Sequence, residues 1–206
     1  MIFNHSRFSE INEEELLSNI DKVVINKDKL NIMDFGCGLA SLYKKLNYKK
    51  FILYDQNEQA LEFHRNEKSS DVIIISSLDE LKKQGLNIDI VLFNSVIQYI
   101  RKDDLAEIIY FFIKQFPSIK IIISDIPKHN RFLEFLYLLF TNTKDIITIY
   151  KDIIENILKK DYKELDFFIH KPDFFESIKD LDIKIMRNFY LFKTRYSIII
   201  AKSETE

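Results

Sequence analysis

The residues whose types and spacing best indicate chemistry are two glycines, Gly36 and Gly38, in the stretch LNIMDFGCGLA. The chain has 3 glycines in all, and this pair comes directly after an apolar run. Glycine permits positive φ and lets a backbone approach a ligand closely. A strand that ends in such a turn and opens into a helix presents free N–H groups at the start of that helix. The pattern therefore predicts a turn that binds a cofactor.

An acidic residue, Asp55, supports this interpretation. It follows the next apolar run, FILY, about 20 residues further on, where a carboxylate can accept both hydroxyls of a ribose. Enzymes that bind dinucleotides and enzymes that bind S-adenosylmethionine share this arrangement. Two details of the turn favour S-adenosylmethionine: Asp34 stands two positions before the first glycine, and Ala40 replaces the third glycine that a pyrophosphate needs. A third detail is the later apolar run IDIVLF, which closes on the polar pair Asn94-Ser95.

The elements that must position these residues alternate along the first 125 residues. Five apolar runs rich in Ile, Val, Leu and Phe hardly alternate with polar residues, which is typical of strands buried on both faces of a parallel sheet. Segments with helical periodicity lie between them, so the pattern predicts a doubly wound α/β sheet. The predicted strands are 31–35, 50–54, 71–75, 88–93 and 119–124, and the predicted helices are 39–47, 57–67, 78–84 and 103–115.

The last third of the chain departs from this alternation. Residues 128–170 carry no strand signal and predict a helical cap inserted into the domain. Two closing strands follow, and because few residues separate them we expect an antiparallel hairpin at one end of the sheet. Residues 1–206 are thus predicted to form one domain with one insertion. The elements predicted here are helices at about 10–25, 129–140, 145–160 and 172–179 and strands at about 182–190 and 194–202.

Composition limits the classes of function. The formal net charge of -2 does not indicate a nucleic-acid partner, which more often calls for a basic surplus. The single cysteine, Cys37, excludes an intramolecular disulfide and fits a reducing compartment. The longest apolar block, 132–140, is about half of a membrane span and contains Glu134. The first residues lack the layout of a signal peptide. We therefore expect a cytoplasmic protein with no membrane span.

The run Ile32-Met33-Asp34-Phe35-Gly36-Cys37-Gly38 resembles the first motif of the class I S-adenosylmethionine-dependent methyltransferases. The resemblance covers about residues 10–125, and the closing hairpin fits the family's seven-stranded Rossmann-like sheet, which is mostly parallel with an antiparallel C-terminal strand. It implies methyl transfer from S-adenosyl-L-methionine, with S-adenosyl-L-homocysteine as the product.

The resemblance also implies a set of cofactor contacts. Asp34 would contact the amino end of the methionine moiety, while Gly36 and Gly38 leave room for the cofactor. Asp55 would bind the ribose hydroxyls. The adenine would lie beside Gln56, Ser77 and Leu78, and the methyl-transfer site would be lined by Asn94 and Ser95. Other roles stay open: Asp34 and Asp55 could cap helices, and Ser77 could be an N-cap with Glu80 as its partner.

A hydroxyl acceptor must lose its proton, so a general base would assist methyl transfer to oxygen. The candidates are Asp125, His129 and His170. Asp125 ends the fifth predicted strand, at the carboxyl edge where doubly wound sheets bind ligands. His129 follows it closely, and His170 ends the insertion. Each has an alternative role: helix capping for the aspartate, and packing or surface exposure for the histidines.

The acceptor is predicted from shorter segments. Asn94-Ser95-Val96-Ile97 lacks the prolines of the enzymes that methylate amino groups of DNA or protein glutamine. Asp125 is followed by Ile-Pro and has no second carboxylate beside it, so no metal is expected. The segment NSVIQYI resembles bacterial methyltransferases that act on small molecules or on surface polysaccharides and their precursors. This resemblance implies that the acceptor is a small polar molecule, namely a sugar or its phosphorylated or nucleotide-linked precursor. The methyl group would be transferred to one of its oxygens.

Two other functions remain open at this point. The first is an NAD(P)-dependent oxidoreductase, which the missing third glycine disfavours. The second is a non-catalytic Rossmann-like binding module that holds a partner through the insertion. The apolar stripe of the insertion, Phe132, Phe135, Leu136, Leu139 and Phe140, has helical spacing and predicts packing on the domain or on a second subunit in a homodimer.

Overall fold

The five apolar runs form the parallel strands of the sheet. In the computed structural model they are β1 (Asn31–Phe35), β2 (Lys50–Tyr54), β3 (Val72–Ile75), β4 (Ile90–Asn94) and β5 (Lys120–Pro127). All four pairings among them are parallel. The structure describes residues 17, 18, 20, 27–67, 70–127, 170–178, 181–186 and 195–202.

The two closing strands complete one edge of the sheet. β6 (Leu181–Met186) and β7 (Arg195–Lys202) pair antiparallel, and β7 also pairs antiparallel with β5. The order of the 7-stranded sheet is β3-β2-β1-β4-β5-β7-β6. The predictions of a mostly parallel sheet and of an antiparallel hairpin at its end are therefore confirmed.

Helices cover both faces of the sheet. The α-helices with described bounds are α1 (Glu58–Glu67), α2 (Leu78–Lys83), α3 (Lys102–Gln115) and α4 (Pro172–Glu176). On one face Leu81 of α2, Phe112 of α3 and Phe175 of α4 pack against strand residues such as Phe35 and Phe93. On the other face Leu61 of α1 packs with Phe51 and Leu53 of β2. Since every strand from β1 to β5 is covered on both sides, its nearly continuous apolar sequence is explained.

The helix predicted at 39–47 is wrong, because the connection between β1 and β2 contains only a short 3-10 turn at Leu42–Lys44. Hydrogen bonds hold both ends of this connection: the N–H groups of Gly36 and Cys37 bond to the carbonyl of Tyr54, and the N–H of Lys49 bonds to the carbonyl of Leu30. Between these ends the chain forms one short 3-10 turn, a geometry that is common in short connecting pieces. The glycine turn therefore has no α-helix of its own.

Parts of the predicted architecture lie outside the described residues. Of the opening helix at 10–25, three residues are described, Leu17, Ser18 and Ile20; all are helical, and Ile20 is fully buried against the face that carries α1. Of the insertion at 128–170 only His170 is described, so its helices and its apolar stripe remain predictions. Among the described residues no helix has the length and apolar character that crossing a membrane requires.

Candidate active site

The predicted site residues gather at the carboxyl edge of the sheet. Asp34 lies near the end of β1, Asp55 directly follows β2, Asn94 is the last residue of β4, and Asp125 lies near the end of β5. The strand order reverses between β1 and β4, which pair directly. Crevices at such a reversal are where doubly wound sheets bind ligands. The topology therefore places these four residues at the rim of one potential binding site.

The two glycines of the turn serve different purposes. Gly36 has φ of 73°, and a Cβ built on it would lie 2.3 Å from Val96 Cγ2, in the segment after β4. Its missing side chain therefore lets the turn after β1 pack against the segment after β4. Gly38 has φ of 52°, and no atom of the described residues lies within 4 Å of a Cβ built there. The open side of the turn is consequently at Gly38.

The Asp55 carboxylate binds the backbone of the glycine turn. Its Oδ2 accepts a hydrogen bond of 2.8 Å from the N–H of Gly38, and its Oδ1 accepts one of 2.8 Å from the N–H of Asn57. Helix α1 is capped instead by Asn57, whose side-chain oxygen accepts a 3.0 Å hydrogen bond from the N–H of Gln59. The alternative that Asp55 caps this helix is therefore wrong. A carboxylate has about four acceptor positions, and the hydrogen bonds from described residues use two of those on Asp55, which leaves acceptor capacity for a ligand.

His64 also contacts the turn, and the sequence analysis missed it. It lies in α1 and is fully buried, with Nε2 at 2.9 Å from the carbonyl oxygen of Gly38. Because a carbonyl can only accept, Nε2 carries the hydrogen. Burial lowers the pKa of His64 below its usual value, since it disfavours the charged ring. Nothing in the spacing of an isolated histidine inside an amphipathic helix indicates such a contact.

The residues predicted beside the adenine lie at the surface. Gln56 and Ser77 are exposed and Leu78 is half-buried. Ser77 occupies the N-cap of α2 but makes no capping hydrogen bond through its side chain. Glu80 reaches back to Ser76 instead, accepting hydrogen bonds of 3.1 Å from its N–H and 2.8 Å from its hydroxyl, and the hydroxyl bond lowers the pKa of Glu80. Ser77 is thus the N-cap residue, but its hydroxyl donates to the Glu80 carboxylate at 3.4 Å instead of accepting from the backbone as a capping box requires.

The ends of β4 and β5 are joined through their side chains. The Ser124 hydroxyl donates a 2.9 Å hydrogen bond to Asn94 Oδ1, and the Ser95 hydroxyl donates to Asp125 Oδ2. Ser95 has φ of 55° and Asp125 has φ of 63°. The pairing of β5 with β7 shifts register between Ile123 and Ile126, so Asp125 sits in a bulge. Bulges and left-handed backbone at non-glycine residues concentrate at functional sites.

His170 is buried beneath the segment that follows β4. Its Nε2–H is shared between the carbonyls of Ile97, at 2.9 Å, and Ile100, at 3.0 Å. The Tyr196 hydroxyl donates to the carbonyl of His170 itself. Burial lowers the pKa of the His170 ring. The ring therefore supports the backbone around the 3-10 turn Ile97–Tyr99, whereas His129 lies outside the described residues.

Two further properties constrain the chemistry. Cys37 is buried between the two glycines, and burial together with the charges of Asp34 and Asp55 raises the pKa of its thiol far above the usual value. The thiol therefore stays protonated and is a poor nucleophile.

In the parts of the chain that the structure describes, no cluster of three or more His, Cys, Asp or Glu residues could hold a metal ion.

Comparisons with known proteins support the fold. No model of a known protein family matches the sequence, and no curated protein does. Among solved structures, magnesium protoporphyrin IX methyltransferase from Synechocystis PCC 6803 with bound S-adenosylmethionine superposes with a TM-score of 0.62 at 14% identity, over 98% of this chain and 85% of that one. A putative type 11 methyltransferase from Sulfolobus solfataricus gives a TM-score of 0.57 at 20% identity, over 94% and 93%.

A third structure shows how varied the acceptors are. The plantazolicin methyltransferase, solved with an analogue of desmethyl-plantazolicin and S-adenosylhomocysteine, has a TM-score of 0.62 at 12% identity, over 97% of this chain and 88% of that one. Methyltransferases named for magnesium protoporphyrin IX and for plantazolicin thus have similar folds, so the fold does not specify the acceptor. The fold of this chain is the Rossmann-like fold of the S-adenosylmethionine-dependent methyltransferases.

Proposed function

We propose that this chain transfers a methyl group from S-adenosylmethionine to a small polar acceptor. The observation that carries the proposal is the turn at Gly38, where the backbone has φ of 52° and one side is open. The Asp55 carboxylate lies directly beside that open side and retains acceptor capacity. The fold shared with methyltransferases solved with S-adenosylmethionine or S-adenosylhomocysteine supports the same function.

The residues present fit this cofactor. The space that a Cβ at Gly38 would fill is free for the ligand, and Asp55 can accept the ribose hydroxyls with its remaining lone pairs. The buried Asp34 stands one residue before the end of β1 for the amino end of the methionine moiety. Gly36 acts indirectly, since it lets Val96 close the base of the site. We assign the remaining contacts to Gln56, Ser77, Leu78, Asn94 and Ser95.

The bound cofactor supplies a methyl group on a sulfonium, and its displacement needs positioning more than acid–base help. For an oxygen acceptor we propose Asp125 or His129 as the base. Asp125 lies buried beside Ser95 at the strand ends that face the crevice. We assign His170 to positioning, because its Nε2–H is already engaged by two backbone carbonyls.

The acceptor that we propose is a phosphorylated or nucleotide-linked sugar, methylated at an oxygen. Such a precursor would be used in the decoration of a surface polysaccharide. The NSVIQYI segment supports this proposal. It forms the end of β4 and the 3-10 turn Ile97–Tyr99, next to the Ser95–Asp125 pair; Ile97 and Gln98 are buried and Tyr99 is exposed. Transfer of a labelled methyl group to nucleotide sugars, phosphorylated sugars and small alcohols tests it. Transfer to none of these, in an enzyme that binds the cofactor, would contradict the acceptor class alone.

Calorimetry with S-adenosylhomocysteine tests the cofactor. We expect a Kd on the order of micromolar for the wild type and at least about tenfold weaker binding for Asp55→Ala. Asp71→Ala is a matched control, since Asp71 is an exposed aspartate just before β3 at the opposite edge of the sheet. No binding by the wild type would contradict the proposal. Fluorescence titration with a reduced nicotinamide cofactor tests the oxidoreductase alternative, which predicts binding of that cofactor. A stable complex with a partner protein, without binding of S-adenosylhomocysteine, would favour the non-catalytic binding module.

A further inference from the structure

The peptide groups on either side of Gly38 are held by two side chains. Asp55 Oδ2 accepts from the N–H of Gly38 at 2.8 Å, and His64 Nε2 donates to its carbonyl oxygen at 2.9 Å. Both side chains belong to the same stretch of chain, which runs from the end of β2 into α1. The residue at the open point of the turn is therefore fixed through both of its backbone polar groups.

This arrangement compensates for the absent helix after β1. The turn is followed only by the 3-10 turn Leu42–Lys44, so no α-helix orders the peptides around Gly38. A glycine with no such support has many accessible conformations, because it lacks a side chain. The hydrogen bonds from Asp55 and His64 select one of them. Asp55 and His64, from the segment that leads into α1, thus fix the backbone that an α-helix after β1 would otherwise fix.

The chemistry of His64 suits a fixed donor. Its Nδ1 is buried and has no hydrogen-bond partner within the described residues. A proton on Nδ1 would therefore meet no acceptor, which favours the neutral tautomer with hydrogen on Nε2. Tyr43 and Phe63 pack edge-on against the ring, with centroids at 5.7 Å and 5.2 Å. These contacts fix the plane of the ring and hence the direction of the Nε2–H bond.

We propose that His64 is a positioning residue for the cofactor: its Nε2–H holds the Gly38 carbonyl so that the open side of the turn stays available to S-adenosylmethionine. The inference rests on the proposed function, since it takes this turn as the cofactor site. His64 does not contact the methyl group or the acceptor. It acts through the backbone of Gly38.

Three variants of α1 test this role. His64→Phe keeps an aromatic ring but removes the donor, and His64→Gln places an amide N–H near the former Nε2. Arg65→Ala is the matched control, because Arg65 is the next residue of α1 and its ion pairs with described residues, to Glu58 and Glu62, are exposed. If His64→Phe does not fold, His64→Asn replaces it, since its amide is too short to reach the carbonyl of Gly38.

The hydrogen bond itself is measured without a ligand. The chain has 3 glycines, so labelling glycine with carbonyl ¹³C produces three signals, from Gly36, Gly38 and Gly85. Gly85 lies just beyond the end of α2 and serves as an internal reference. We expect the Gly38 signal to move in His64→Phe more than the other two, and to return toward the wild-type position in His64→Gln. An unmoved Gly38 signal would overturn the inference.

Calorimetry with S-adenosylhomocysteine measures the consequence. We expect binding at least about tenfold weaker in His64→Phe, within about threefold of the wild type in His64→Gln, and unchanged in Arg65→Ala. Wild-type affinity in a folded His64→Phe overturns this inference and leaves the proposed function standing. No binding by the wild type overturns the proposed function and this inference with it.

Discussion

Ser95 donates a hydrogen bond to the carboxylate of Asp125, and both residues hold their backbones in the left-handed region, at φ of 55° and 63°. No other non-glycine residue in the described part of the chain has positive φ. Such a backbone costs about 1–2 kcal/mol per residue, so the surroundings must maintain it. The side-chain hydrogen bond between the ends of β4 and β5 is one interaction that does so.

A double-mutant cycle measures this coupling. We expect Ser95→Ala and Asp125→Ala each to lower the free energy of unfolding, and the double variant to lose about 1–3 kcal/mol less than the sum of the single losses, as expected for a shared hydrogen bond. Urea unfolding gives all four values. Additivity within about 0.5 kcal/mol would show that the two side chains do not support each other.

The two glycines of the turn respond differently to alanine. Gly36→Ala adds a clash with Val96 to the cost of positive φ, and we expect it to lower the free energy of unfolding by about 2–5 kcal/mol. Gly38→Ala adds only the backbone cost, about 1–2 kcal/mol. Urea unfolding separates them, and similar losses for both would contradict the clash.

Gly85→Ala is the control for Gly38→Ala. Gly85 has φ of 58° and, like Gly38, has no neighbour within 4 Å of a built Cβ in the part of the chain that the structure describes. We therefore expect equal losses of stability from the two substitutions. Only Gly38→Ala should weaken binding of S-adenosylhomocysteine, because its methyl group enters the space that we assign to the cofactor. Equal affinities of the two variants for S-adenosylhomocysteine would show that the cofactor does not occupy that space.

The sheet could be predicted from the sequence because its strands are buried on both faces. The apolar runs at 31–35 and 50–54 coincide with β1 and β2, and the closing hairpin was predicted from the short spacing of two runs. Burial on both faces leaves a continuous apolar signal that does not depend on distant partners. The carboxyl-edge placement of Asp55, Asn94 and Asp125 then follows from the topology alone.

The details of the site could not be predicted because they depend on contacts between distant segments. The segment 39–47 has helical periodicity, yet it forms only the 3-10 turn Leu42–Lys44, in a connection whose start is tied to Tyr54 by hydrogen bonds from Gly36 and Cys37. Gly36 is required by Val96, which lies 60 residues away in sequence. His64 reaches the turn only because α1 packs beside it. Periodicity carries no information on such pairs.

Stability should fall in mild acid because of two buried histidines. Burial lowers the pKa of His64 and of His170 below the usual value of 6.5. As the pH falls below about 6.5, the unfolded chain therefore binds protons that the folded chain does not, and the free energy of unfolding decreases. Lys44 also lowers the pKa of His64 while Glu67 and Asp55 raise it, and Lys102 lowers that of His170.

Urea unfolding at about pH 7.5 and about pH 5.5 checks this expectation. The wild type should lose more stability between these pH values than His64→Gln or His170→Gln, since glutamine keeps an N–H donor but does not titrate. Carboxylates titrate equally in all three proteins, so the differences between them isolate the histidines. Equal losses in the three proteins would show that neither histidine titrates differently on unfolding.

Cys37 should report the opening of the glycine turn. It is the single cysteine, it is 4% exposed, and the pKa of its thiol is raised far above the usual value by burial and by Asp34 and Asp55. Since only an exposed thiolate reacts, we expect a disulfide reagent to label the native protein at least about a hundredfold more slowly than the urea-unfolded chain.

Saturating S-adenosylhomocysteine should slow labelling further, because a ligand that binds the turn in its native conformation reduces the population in which the turn has opened. His64→Phe should accelerate labelling relative to Arg65→Ala. A native rate equal to the unfolded rate would mean that the thiol is not held inside the turn, and a rate unaffected by the ligand would mean that the ligand binds elsewhere.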